Sequence, residues 1–281
     1  MRVSSSGYYA WRKRLEKPPC LKRKKLADLV RSCYFENRRR YGTRRITKAL
    51  AKGGVKVGRA AVRRHLKEQG LKAIQPRRFT PRTTDSRGVK AAPNLLAGIN
   101  SGECAAGKII VGDITYIPLQ NGRFCYLAIW QDKVTKRIIG WSLALEMTQE
   151  LVISALQKAI GKGLVKAGAI IHSDRGSQYA SNGFRELLRT SGLRQSMSGK
   201  GNCYDNAQAE SFFSRFKTEL LEGGVFEDVE QARSEIFSYI EGYYNRTRLH
   251  SALGYKSPLE FEEELKTKNG GQRDSFVSTF S

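Results

Sequence analysis

Residues 109–117, Ile-Ile-Val-Gly-Asp-Ile-Thr-Tyr-Ile, form an apolar run with one acid, Asp113, at its centre. A charge inside a buried strand is costly unless it is paired or metal-bound. The run therefore reads as a core strand that presents its acid to a site. A second run, Ala169-Ile170-Ile171, reaches Asp174 and breaks into Arg175-Gly176-Ser177. That pattern predicts a strand delivering an acid to the rim of a sheet, where ligand and metal sites of open α/β sheets lie. A third acid, Glu210, falls in a segment of helical periodicity. Taken singly, Asp174 reads equally as a turn residue and Glu210 as a solvated helix charge. Asp113 is the hardest to dismiss.

The elements around these acids define a fold class. Strands are predicted at 109–118, 124–131 and 137–145, with Asn121-Gly122 as a hairpin turn between the first two. A helix capped by Thr148 runs to about residue 160. A strand at 169–173, a helix at 182–190 and a strand at 193–197 follow. Helices are predicted from 206, with Phe212, Phe213 and Phe216 inward, and from 229 to 246, with Ile236, Phe237, Ile240, Tyr243 and Tyr244 inward. Ser257 and Pro258 start a last short helix. Three antiparallel strands followed by alternating helices and strands match a ribonuclease-H-like mixed five-stranded sheet with flanking helices.

Charge divides the chain. The formal net charge is +24 over 281 residues, and residues 1–95 hold 28 Lys and Arg against 5 acids. The remainder is nearly neutral. Such asymmetry points to a first part that touches a polyanion. Residues 1–20 read as a basic aromatic arm with Tyr8, Tyr9 and Trp11. Residues 21–71 read as a small all-α helix-turn-helix domain. Its first helix turns Leu26, Leu29, Val30 and Cys33 inward. Its second starts at Thr43 as N-cap, with Ile46, Ala49 and Leu50 inward. Its third, from Arg59, turns Val62 and Leu66 inward and stops at Gly70. On that third helix Arg59, Arg63, Arg64 and Lys67 form a basic stripe, the candidate DNA-binding face. Residues 72–95 read as a basic extended linker, 96–221 as the catalytic core, 222–266 as a helical extension and 267–281 as a frayed tail.

Five cysteines without a Cys-x-x-Cys pair exclude a disulfide framework and a cysteine zinc site. No eighteen-residue apolar run exists, so no membrane span is expected. With no apolar signal core, the chain is placed in the cytoplasm, associated with the nucleoid.

Oxygen-ligated divalent ions neutralise phosphate and activate a nucleophile. A few carboxylates suit Mg²⁺ or Mn²⁺. Asp113, Asp174 and Glu210 are the candidate catalytic and metal-binding residues. Lys217, seven residues after Glu210 on the same helix face, is a candidate DNA contact, as is Lys200 in a glycine-bearing loop. Asp132 reads as a turn residue, Asp205 as an N-cap and His172 as a packed strand residue.

The motifs Asp113-Ile114-Thr115-Tyr116, His172-Ser173-Asp174-Arg175-Gly176-Ser177-Gln178-Tyr179, Gly201-Asn202-Cys203-Tyr204-Asp205-Asn206-Ala207 and Glu210-Ser211-Phe212-Phe213 carry a resemblance. So do Tyr41-Gly42-Thr43-Arg44-Arg45-Ile46, Tyr243-Tyr244-Asn245-Arg246, His250 and Ser257-Pro258. The chain resembles the second-frame transposase proteins of frameshifting bacterial insertion sequences, within the retroviral-integrase-like DDE superfamily. Between Asp174 and Glu210 lie 35 residues, the spacing of that family. The resemblance implies Mg²⁺-dependent strand cleavage and transfer of a 3′-hydroxyl to target DNA, without a covalent intermediate. It also implies double-stranded element ends and target as partners, a homo-oligomer on DNA, and an upstream-frame partner protein or fusion. One position departs: where the family often has Trp three residues before the first Asp, this chain has Ile110. A metal-dependent nuclease on the same fold and a non-catalytic DNA-binding regulator are the alternatives.

Overall fold

The structure, a computed structural model, describes residues 4–15, 21–74, 91–96, 104–199, 207–222 and 224–277. Lys200, Asp205 and most of the expected linker lie outside the described residues. The chain divides into two compact units, Met1–Ile74 and Gln75–Ser281.

In the first unit the expected arm contains a helix, α1 (Ser5–Leu15). It has no proline or β-branched residue, and the Ser4 hydroxyl caps its start by accepting the Gly7 amide at 3.2 Å. Three further helices follow: α2 (Leu21–Glu36), α3 (Thr43–Lys52) and α4 (Arg59–Glu68). Their core is Val30, Cys33, Tyr34, Ile46, Leu50, Val62 and Leu66. Leu29, expected inside, is 43% exposed. Tyr34, one turn beyond Val30, is buried instead and anchors its hydroxyl on the Lys72 carbonyl at 2.6 Å. The N-cap of α3 is Gly42 rather than Thr43. Gly70, at φ 66°, lies just past α4, where a left-handed residue ends the helix as expected.

The second unit is built on a five-stranded sheet in the order β3-β2-β1-β4-β5. Its strands are β1 (Ile109–Pro118), β2 (Phe124–Asp132), β3 (Ile138–Ala144), β4 (Ile170–Ser173) and β5 (Arg194–Met197). The first three are antiparallel, and β4 and β5 run parallel to β1. Strand β2 lies inside the sheet and is buried on both faces. Leu127 and Ile129 belong to one core cluster, and Ala128 and Trp130 to the other. The Trp130 cluster packs α5 (Gln149–Gly161), α6 (Ser177–Ala180) and α7 (Asn182–Thr190) on one side. Ile110, where the family often has Trp, is fully buried in this cluster with Trp130. Two close approaches set this packing. A Cβ on Gly112 would fall 2.3 Å from the Trp130 ring, and one on Gly140 would fall 2.1 Å from the Ala155 carbonyl. Thr148 sits at the α5 N-cap position, but its side chain accepts no helix amide.

The other face is covered by α8 (Ala207–Phe216) and α9 (Val229–Phe237). Phe212, Phe213 and Phe216 pack there against Ile236, Tyr239, Ile240 and Tyr244. Both helices end in a π-helical turn, at Lys217–Leu221 and Ser238–Tyr244. Widening the turn shifts the face that later residues occupy. Phe237, expected inside, is 59% exposed: it lies ahead of the second π-turn, and its neighbour Ile236 takes the buried position. The last helix, α10 (Pro258–Val277), is longer than the expected short helix and replaces the frayed tail over most of its length. Ser257 and Glu260 form a reciprocal capping box at its start. Glu262–Lys266 and Glu264–Lys268 pairs, one turn apart, carry it onward. Among the described residues no helix is long and apolar enough to cross a membrane.

Candidate active site

Asp113 sits in the middle of β1 and Asp174 just past the end of β4. The two strands are parallel, with Val111 opposite His172. Continuing that register two places sets Asp113 beside Asp174. Both carboxylates then share a face, because alternate residues of neighbouring strands point the same way. Asp174 Oδ1 accepts the Gly176 amide at 3.0 Å, which turns the chain away from the sheet. Asp113 Oδ1 accepts the Ile114 amide at 2.8 Å.

Electrostatics report the same proximity. Burial, then the charge of Asp174, and more weakly that of Glu210, push the Asp113 carboxyl well above the usual range. The Ile114 amide and the Lys217 ammonium act in the opposite direction. Glu210 is exposed on the first turns of α8. Asp113 thus senses both of the other acids, Asp174 the more strongly. Among the described residues, no three His, Cys, Asp or Glu side chains are grouped closely enough to hold a metal ion as they stand. The candidate donor set is all carboxylate oxygens, which suits a divalent cation, and a cation would relieve the like-charge repulsion on Asp113.

Lys217 opens the π-turn after α8. Its ammonium lies 3.9 Å from the centre of the Tyr116 ring, a cation–π contact that the sequence did not reveal. Burial lowers its pKa, while the charge of Asp113 works against that shift.

The competing residues have structural roles. The Asp132 carboxylate is buried and accepts the amides of Gly107, Val134 and Thr135 and the Thr135 hydroxyl, so it holds a turn together. His172 is fully buried, with ring nitrogens 2.8 Å from the Ser196 hydroxyl and 3.2 Å from that of Ser198. Arg175 donates to the Ser198 carbonyl at 2.8 Å, which ties the β4 rim to the segment leaving β5. In the first unit Arg59, Arg63, Arg64 and Lys67 are all exposed along α4.

The C-terminal motif residues also have partners. Asn245 pairs with both backbone groups of Ile138 at 3.0 Å, imitating a further strand beside the edge of β3. The Tyr244 hydroxyl accepts from the Gln131 amide at 2.9 Å. Arg248 and Glu219, which sequence reasoning did not single out, form a buried bidentate ion pair. The one sequence signal for Arg248 is its place between Asn245 and His250.

Comparison with known proteins bears on the family. An integrase core domain family matches residues 104–203, a second integrase core domain family residues 191–258, and an HTH-like domain family residues 22–79. The chain is 39% identical over 244 residues to a transposase for insertion sequence element IS904 of Lactococcus lactis, covering 86% of this chain and 95% of that one. It is 37% identical over 268 residues to transposase InsF for insertion sequence IS3A of Escherichia coli, covering 94% and 92%. A solved simian T-cell lymphotropic virus intasome aligns over 77% of this chain and 70% of that one, at 18% identity and a TM-score of 0.47. The chain belongs to the insertion-sequence transposase family, with an HTH-like domain ahead of an integrase core.

Proposed function

We propose that this chain is a DNA transposase that cleaves the ends of an insertion element and joins them to target DNA. The observation that supports this most is the parallel register that sets Asp113 beside Asp174, with the Glu210 helix over the same face. Asp113, Asp174 and Glu210 would hold Mg²⁺, or Mn²⁺, between them. Bound there, the cations supply phosphate neutralisation and activation of a water or 3′-hydroxyl nucleophile. Lys217 would contact a DNA phosphate beside the carboxylates, with Tyr116 holding its ammonium on the rim. Lys200 is a further candidate phosphate contact. Arg59, Arg63, Arg64 and Lys67 would grip the duplex, with α4 entering the major groove. Two element ends must be brought together, so the working form is a homo-oligomer on DNA, joined by an upstream-frame partner or fusion. Its place is the cytoplasm, at the nucleoid.

The test is an oligonucleotide assay with Mg²⁺ that scores cleavage and joining separately. Both products are expected, and both are lost in Asp174→Asn. Cleavage without joining would favour a metal-dependent nuclease. Transposition unaffected by Asp174→Asn would leave only a DNA-binding regulator.

A further inference from the structure

The helix that carries Glu210 and Lys217 has a second working face. Glu219 lies nine residues after Glu210. It is buried where Glu210 is exposed, so it occupies a different face of the helix, within the π-helical turn that follows α8. Its carboxylate is buried and fully occupied. Oε1 accepts Arg248 Nη2 at 2.8 Å, and Oε2 accepts Arg248 Nε at 2.9 Å and the Tyr239 hydroxyl at 2.9 Å. Side-chain exposure is 4% for each partner of the ion pair. Arg248 Nη1 reaches to 3.4 Å from His250 Nε2, and the guanidinium lies 5.6 Å from the centre of the Tyr244 ring.

An apolar contact already joins the same elements. Phe212 meets Tyr244 edge-on at 4.9 Å, and Phe216 meets Tyr239 edge-on at 5.3 Å. Burial of these rings favours docking but tolerates rotation and sliding, since hydrophobic packing is non-directional. A bidentate carboxylate–guanidinium bond admits one geometry. A buried ion pair gains little net stability over apolar residues of similar volume. What it supplies here is register. The two π-turns, one carrying Glu219 and the other Tyr239, widen where this bond is made, and π-turns recur at functional sites.

We infer that Glu219, Arg248 and Tyr239 form a positioning device, which fixes the rotation of the α8 helix so that Glu210 and Lys217 face Asp113. The role rests on the catalytic reading above. All three residues are buried. They act through the helix, from its buried face.

The test uses the full chain and Mn²⁺ alone as probe, with binding read by electron paramagnetic resonance and folding by thermal unfolding. The double variant Glu219→Leu with Arg248→Met replaces the ion pair by apolar groups of similar volume. It is expected to keep its unfolding temperature while its Mn²⁺ affinity falls about tenfold, the size of effect seen when residues supporting metal ligands are lost. Cleavage at saturating Mn²⁺ should recover most of the wild-type rate, because the ligands themselves remain. Tyr239→Phe removes a single hydrogen bond and should weaken Mn²⁺ about threefold. Wild-type Mn²⁺ affinity in a folded double variant would overturn the role. If the double variant does not fold, wild-type affinity in Tyr239→Phe overturns it instead. Asp113→Asn separates the two readings. Mn²⁺ binding that survives it would overturn the catalytic reading and the positioning role with it. Loss of binding in Asp113→Asn without any fall in the buried-face variants would overturn the positioning role alone.

Discussion

The Lys217 ammonium sits 3.9 Å from the centre of the Tyr116 ring, at the edge of the carboxylate site. The ring face attracts the cation without neutralising it, so a full positive charge is held at the rim. Lys217→Gln should weaken DNA binding and reduce the slope of log affinity against log salt by about one, as loss of one phosphate contact requires. Tyr116→Leu keeps the charge but frees it. It should leave the slope intact and lower the cleavage rate. Titrations at several salt concentrations check both, and an unchanged slope in Lys217→Gln removes that residue from the DNA interface.

The exposed stripe on α4 makes a separate prediction. Arg63→Ala combined with Lys67→Ala should reduce the salt slope by about two. Cleavage at saturating DNA should stay near wild type, because neither residue belongs to the carboxylate site. Removing residues 1–95 should abolish most DNA affinity. Retention of the full slope in the double variant would mean that α4 does not face the duplex.

What could be read from the sequence follows from how local each signal is. The strand pattern around Asp113, the turn at Asn121-Gly122 and the apolar face of α5 are short-range features, and each appears where expected. The shared parity of Asp113 and Asp174 was not legible, because it depends on the register between β1 and β4. The π-turns were not legible. Nor was the outward turn of Phe237, because Ile236 and Phe237 are adjacent apolar residues and only packing shows that Ile236 is the buried one. The Lys217–Tyr116 and Glu219–Arg248 contacts join residues 101 and 29 positions apart, and no spacing rule announces them. In α2, Leu29 faces out and Tyr34 is buried, with its hydroxyl on the Lys72 carbonyl, a partner 38 residues away that no local pattern announces.

Glu262 should make stability depend on acid. Burial alone would raise its carboxyl, but hydrogen bonds from Lys266 and Arg137 outweigh that and hold it below the usual glutamate value. A folded-state value that is depressed stabilises the chain above the ordinary glutamate range, and that stability is lost as pH falls through the depressed value. Glu262→Gln should therefore cost about 1.5–3 kcal/mol at neutral pH. The difference from wild type should shrink toward zero as the medium is acidified below the glutamate range. Urea unfolding across that pH interval measures it, and a gap that stays constant would show that the carboxylate charge is irrelevant.

Gly112 and Gly140 should not tolerate a methyl group. Gly112→Ala drives a Cβ into the Trp130 ring, and Gly140→Ala drives one into the Ala155 carbonyl. Overpacking costs about 1–3 kcal/mol where side chains can adjust. A backbone carbonyl inside a helix cannot turn aside, so Gly140→Ala should be the more damaging. Unfolding midpoints of the two variants test the order.

Strand β1 has an antiparallel neighbour on one side and a parallel one on the other. The hairpin with β2 closes over a few residues, whereas pairing with β4 must await a long crossover, and distant pairings form slowly. Asp113 should thus be in place early during refolding, and Asp174 should arrive late. If the pair holds a divalent ion as proposed, docking of the crossover is the step at which a nascent polypeptide would first gain from that ion.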